Sequence, residues 1–149
     1  MKRFFLAVTA LAGVGMILSR QTGSRPEVDA ADSPLAPCGP FANCARLSRS
    51  IPADASTVRR VAEAAVRTDR SLLAGRADEI SLTAGGLRAT YRTGPFVDDL
   101  ALEVTPGASG EASILHLRSA SRMGRSDLGT NQRRLDRLVA DVLARVGAS

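Results

Sequence analysis

The hydrophobic pattern begins at the amino terminus. After Met1-Lys2-Arg3 the chain runs from Phe4 to Leu18 without a charge, 15 residues in all. A basic start followed by such a run has the form of an export signal or a retained membrane anchor, assigned to residues 1–20. As a helix the run measures about 22 Å, short of a hydrocarbon core of roughly 30 Å, so a span would rely on snorkelling at its flanks. No small residues stand at the −3 and −1 positions just after Leu18, which favours retention over cleavage. The charges at the start then place the remainder outside the cytoplasm. Residues 21–37 carry three prolines among small polar residues and no apolar period. They read as a flexible, disordered tether.

The domain expected from 38 to 149 shows both periods. Val58, Val61, Ala62, Ala65, Leu72 and Leu73 predict a helix from Ser56 to about Leu73, capped by Asp54 or Ser56. Asp69 interrupts the stripe, so an end near Arg67 fits equally, and residues 68–78 stay unassigned. Gly85-Gly86 has the chemistry of a two-residue primed turn pairing Ala84 with Leu87. That pairing puts Ile80, Leu82, Ala84, Leu87, Ala89 and Tyr91 on one face. Gly94-Pro95 predicts a second turn with Thr93 beside Phe96, Tyr91 beside Asp98, Ala89 beside Leu100 and Leu87 beside Leu102. A third turn at residues 105–110, if symmetric, opposes Leu100 to Leu115, Asp98 to Leu117 and Asp99 to His116. A last helix, Thr130 to Val146, carries the stripe Leu135, Leu138, Val139, Val142 and Val146. The predicted fold is α+β: a four-stranded antiparallel meander with two helices packed on its one apolar face, order αββββα. An N-terminal apolar helix and the tether precede it.

Composition narrows the functional classes. Lys and Arg number 20 against 15 Asp and Glu, a net charge of +5, and aromatics are 3%. From Cys38 onward there are 16 Arg and 12 acids; residues 118–137 alone hold six Arg and two Asp. The excess charge of the domain therefore sits in one strand-to-helix passage. Few aromatics and an exported location argue against nucleic acid as a partner. Two Cys and one His supply no metal site, and no cofactor is expected. Cys38 and Cys44, five residues apart around Gly39-Pro40, read as a structural disulfide formed in an oxidising compartment.

Strand parity sorts the remaining polar residues into two groups. Arg88, Thr90, Arg92, Asp99, Glu103, His116 and Arg118 share the outer sheet face. They form either a solvated, self-pairing surface or a shallow carboxylate–histidine–arginine site needing a nucleophile. Asp98, Ser119 and Ser121 turn inward, where Tyr91 and Arg122 can donate to the carboxylate and Asp127 or Thr130 can cap the last helix. Tyr91, Asp98, Asp99, His116 and Asp127 thus form the candidate polar network. Arginines near a helix start also make a candidate anion site, assigned to Arg118, Ser119, Ser121, Arg122, Arg125, Asn131 and Arg134.

The string from Arg118 to Arg134 (RSASRMGRSDLGTNQRR), the earlier Phe96-Val97-Asp98-Asp99 and a C-x5-C ending in Asn43-Cys44 together resemble domain-of-unknown-function family 1499 (DUF1499). The likeness spans residues 38 to about 146 and implies an envelope location. It carries no reaction. Two departures stand out: Gly39-Pro40-Phe41-Ala42 in the first loop, where the family pattern reads differently, and Ala101, where a Glu is usual. The leading expectation is a non-enzymatic, periplasm-facing module, attached to a membrane through residues 4–18. It would bind an anionic small molecule, a lipid headgroup or an envelope protein. The alternatives are a hydrolase or transferase using Asp98 or Asp99 with His116, and a purely structural accessory domain.

Overall fold

Apolar side chains on alternate residues need a partner layer, and here two helices supply it. The computed structural model describes residues 27–28, 32–71 and 75–149. Its elements in chain order are β1 (Glu27–Val28), β2 (Cys44–Ile51), α1 (Ala55–Thr68), β3 (Arg70–Ser71), β4 (Gly75–Leu82), β5 (Gly86–Thr93), β6 (Phe96–Pro106), β7 (Ser113–Ser121) and α2 (Thr130–Gly147). The strands form one antiparallel sheet in the order β1-β2-β7-β6-β5-β4-β3. Five long strands make its body, and the two-residue strands β1 and β3 extend its edges.

This corrects the expected four-stranded meander, although the α+β class holds. The missed element is β2, which precedes α1 and pairs along its whole length with β7. Its inward residues are Ala45, Leu47 and Ile51, all buried, but Arg49 interrupts their alternation. The order is therefore βαββββα around the long strands. The stretch read as a tether is partly seated on the sheet. Glu27–Val28 pairs with Ser48 and Arg49, Leu35 is buried, and the Arg46 guanidinium donates to the Ser33 carbonyl at 3.0 Å. The apolar run at 4–18 lies outside the described residues. Among the described residues no helix is long and apolar enough to cross a membrane.

The helices behave as their periods dictate. Asp54 caps α1 by accepting from the Ser56 and Thr57 amides at 2.9 and 3.0 Å. The helix buries Val58, Val61, Ala62, Ala65 and Val66 and stops at Thr68, before the Leu72-Leu73 pair expected to extend its stripe. Of the unassigned stretch 68–78, residues 70–71 and 75–78 are strand, the latter the start of β4. Helix α2 buries Leu135, Leu138, Val139 and Val142. These side chains join Leu87, Ala89, Tyr91, Leu100, Leu102, Val104, Leu115 and Leu117 in a single core. Both helices thus cover one sheet face; among the described residues no helix covers the other.

Register is where expectation and structure part. The β5–β6 pairing is as read from Gly94-Pro95: Thr93 opposes Phe96, Tyr91 opposes Asp98 and Leu87 opposes Leu102. Gly94 adopts φ +57°, the left-handed conformation such a tight turn requires. The β4–β5 hairpin instead pairs Leu82 with Leu87, a slip of two residues from the expected Ala84 pairing. The reason is local: the Thr83 amide bonds to the Gly86 carbonyl at 2.9 Å, and the Gly86 amide to the Thr83 hydroxyl at 3.0 Å. These close a longer loop. A Cβ at position 86 would overlap the Leu102 carbonyl, so Gly86 lets β5 and β6 approach. Between β6 and β7 the slip is four: Leu102 opposes Leu117, Asp98 opposes Ser121, and His116 faces Glu103 rather than Asp99. These slips are even, so the inward residues of β5, β6 and β7 stay inward; Leu82, read as inward, is instead 62% exposed at the end of β4.

A disulfide joins Cys38 to Cys44 across a Cα–Cα distance of 5.7 Å and closes the loop leading into β2. The double replacement Cys38→Ser with Cys44→Ser is expected to cost about 2 kcal/mol in the chain-entropy view. Denaturant unfolding with and without reductant measures it; the mutant should match the reduced wild type.

Candidate functional site

Two adjacent carboxylates, Asp98 and Asp99, open opposite halves of the polar architecture. Asp98 turns inward and pairs with Arg134 at 2.7 Å; the Arg134 side chain is 0% exposed and that of Asp98 11%. A guanidinium so buried must place its donors. Its Nη1 donates to the Ser119 hydroxyl and to Asn131 Oδ1, both at 2.8 Å, and its plane lies 4.2 Å from the centre of the Tyr91 ring. The second Asp98 oxygen accepts from the Ser121 hydroxyl at 2.6 Å. That hydroxyl in turn accepts from the Asn131 amide at 3.0 Å. The same amide group donates to the Asn43 carbonyl at 3.1 Å, and Asn43 donates to the Gly124 carbonyl at 2.7 Å. Asp127 accepts from the Gly129 and Asn131 amides, both at 2.8 Å, and so caps α2. Thr130 stands at the first position of α2.

Sequence reasoning placed Asp98, Ser119, Ser121 and Asp127 in such a network, and the structure brings them together. Two assignments need correction. Tyr91 serves Arg134 through its ring, while its phenol lies beside Asp69; burial, reinforced by the Asp69 charge, pushes that phenol above its ordinary range. Arg122 does not reach Asp98. It clasps Asp99 on the outside with bonds of 2.9 and 2.8 Å, and its own pKa rises through that contact. Asn43 and Asn131 link the disulfide loop to α2; Asn43 carried no signal beyond belonging to the family motifs, and Asn131 was assigned to the anion site rather than to this network.

The pairing expected between Asp99 and His116 is absent. Asp99 faces Ala120 across the ladder, four residues from the histidine. His116 is 2% exposed and sits between two hydroxyls, Ser48 at 2.8 Å from Nδ1 and Thr105 at 3.0 Å from Nε2. Ser48 and His116 have the spacing of a nucleophile and its base. Both are sealed from solvent, at 1% and 2% exposure, which leaves a substrate no approach. Desolvation holds the His116 pKa below 6.5; Arg46 adds to the depression and Glu103 opposes it.

The seven residues expected to form one anion site fall into three places. Ser119, Ser121, Asn131 and Arg134 belong to the interior network. Arg125 is exposed, its guanidinium 5.3 Å above the Phe41 ring. Arg118 and Arg122 border a cavity of about 340 Å³ on the helix-free sheet face, with Glu79, Ser81, Arg88, Thr90, Asp99 and Ala101. Arg88 is 3.5 Å from Glu103. Arg118 is half-buried and has no hydrogen-bonded or ionic partner among the described residues. The hydroxyl of Thr90, a residue 8% exposed, likewise has none. Among the described residues no group of three His, Cys, Asp or Glu is placed to hold a metal ion.

A family model described as a protein of unknown function (DUF1499) matches residues 18–142, most of the chain. The chain belongs to this family. No curated protein matches it. The crystal structure of TTHA0849 from Thermus thermophilus is similar at 17% identity over 70% of this chain and 97% of that one, with a TM-score of 0.47. In this DUF1499 chain the long C-terminal motif supplies mainly the interior network; Arg118 and Arg122 are its contributions to the cavity.

Two outcomes follow for stability. Removing one partner of the buried pair, by Asp98→Asn or Arg134→Met, is expected to cost about 3–5 kcal/mol, read as a lower urea midpoint. The double variant should cost less than the sum. For His116 the folded pKa lies below the unfolded one, so the unfolded chain takes up the proton first as pH falls. Its contribution is complete above about pH 6.5 and is lost as pH drops through the folded pKa. His116→Gln is expected to flatten stability against pH in that window, measured by urea titrations at a series of pH values.

Proposed function

We propose that this domain is a non-enzymatic binding module of the cell envelope that holds an anionic ligand on the helix-free face of its sheet. The observation that carries the reading is Arg118, a guanidinium without a partner among the described residues, at a cavity large enough for a small ligand. An anion supplies the acceptor that Arg118 lacks. The envelope placement is supported by the basic, apolar amino terminus and by the disulfide, a bond at home in oxidising compartments. A role as ligand binder rather than catalyst is supported by the separation of Asp99 from His116 and by the bonding of both imidazole nitrogens to hydroxyls.

The test is thermal shift of the purified protein against phosphate, sulfate, acetate and dispersed phosphatidylglycerol. At least one anion is expected to raise the melting temperature saturably, and Arg118→Ala is expected to abolish the rise. If no anion stabilises the fold, or if the effect survives Arg118→Ala, the reading is wrong.

A further inference from the structure

We infer that the cavity is selective for a single carboxylate group, carried by a small organic acid or by a peptide C-terminus and seated over Ala101. This rests on the anion-binding reading above and names its ligand class.

The ladder lines up one row across four strands: Arg46 opposes Arg118, Arg118 opposes Ala101, and Ala101 opposes Arg88. Like charges directly opposed on a sheet repel, and this row contains no carboxylate. The Nε groups of Arg46 and Arg118 are buried without acceptors, as is the Thr90 hydroxyl in the next row. Buried donors left unmade are unfavourable. Ala101 lines the cavity between Arg118 and Arg88 and contributes only a methyl, itself buried, where a longer side chain would project into the cavity. What this wall lacks is an acceptor with one negative charge at that place.

Charge selects a monoanion. Arg88, Arg118 and Arg122 border the cavity, but so do Glu79 and Asp99. Asp99 already occupies Arg122 with two bonds, and Glu103 draws on Arg88. Of the three guanidinium groups, that of Arg118 remains. A dianionic phosphate would exceed this charge and face the carboxylates of Glu79 and Asp99. A planar carboxylate matches a guanidinium fork with two parallel bonds and leaves a lone pair for Thr90. A volume of about 340 Å³ suits a small acid or the last residue of a peptide.

Calorimetric titration of the full chain decides the matter, with four probes: propionate, a tripeptide with a free C-terminus, the same tripeptide amidated, and inorganic phosphate. Propionate, the free tripeptide or both are expected to bind, with the amide and phosphate at least tenfold weaker. Which of the two binds identifies the source of the carboxylate. Ala101→Glu places a carboxylate between Arg118 and Arg88; it is expected to abolish binding and to melt at or above the wild-type temperature. Arg118→Gln must also abolish binding, and it decides alone if Ala101→Glu fails to fold. Phosphate binding as tight as the carboxylates, lost in Arg118→Gln, would overturn the selectivity and leave the anion reading standing. Unchanged binding in a folded Ala101→Glu would overturn the placement over Ala101. If no probe binds, or binding persists in Arg118→Gln, selectivity and anion reading fail together.

Discussion

An arginine removed from water dictates the rest of this structure. The Arg134 guanidinium has no exposed surface, so its charge and donors must be met inside the protein. The charge and the Nη1 and Nη2 donors are met from three directions: Asp98 on β6, Ser119 on β7, and the Tyr91 ring on β5, with Asn131 one helical turn earlier on α2. A shift of one residue in either strand would turn its contribution outward. A rotation of α2 would withdraw the arginine. Apolar packing forbids a one-residue shift but accepts a slip of two; a buried, hydrogen-bonded ion pair accepts neither. The helix start, the strand register and the disulfide loop, through Asn43, are therefore fixed by one connected set of bonds.

The same accounting explains what the basic passage can do. Its six arginines and two aspartates look like a strong anion site in the sequence. In the fold, three of those arginines are taken by carboxylates from elsewhere: Arg134 by Asp98, Arg122 by Asp99 and Arg137 by Asp69. Arg125 places its cation on the Phe41 ring. The apparent charge excess is largely internal wiring that ties β6, α1 and the disulfide loop to the passage. Arg118 alone combines partial burial, a cavity and the lack of a partner among the described residues. Unmet donor capacity is thus concentrated at one guanidinium and does not spread over the motif.

Legibility in the sequence followed the symmetry of each signal. Strand parity has period two, so the alternation of leucines in residues 87–117 fixed which side chains face the core. Even slips of two and four residues leave that pattern intact. For the same reason, alternation could not decide whether Asp99 lies opposite His116 or Ala120, and the expected pairing did not survive. The tight Gly94-Pro95 turn, with no freedom of length, transmitted its register correctly; the longer loops at 83–86 and 107–112 did not. Strand β2 was hidden because Arg49 occupies an inward position between Leu47 and Ile51. Without β2, the outer face lacked Arg46 and Ser48, and neither the arginine row nor the seat of His116 was visible.

Placing Asp98 and Asp99 next to each other on an extended strand has a further consequence. Neighbouring residues on a strand point to opposite faces, so these two carboxylates divide the basic passage between interior and exterior. The interior share, Arg134, sets the position of α2. The exterior share, Arg122, is paired with Asp99 on the open face and borders the cavity beside Arg118. The interior network and the cavity therefore draw on alternate residues of the same strands: Asp98, Ser119 and Ser121 for the first, Asp99, Ala101 and Arg118 for the second. Substitutions at the outward set leave the buried pair untouched. In this arrangement a sheet face free of helices can change its chemistry through a single position such as Ala101 while the interior network holds the fold.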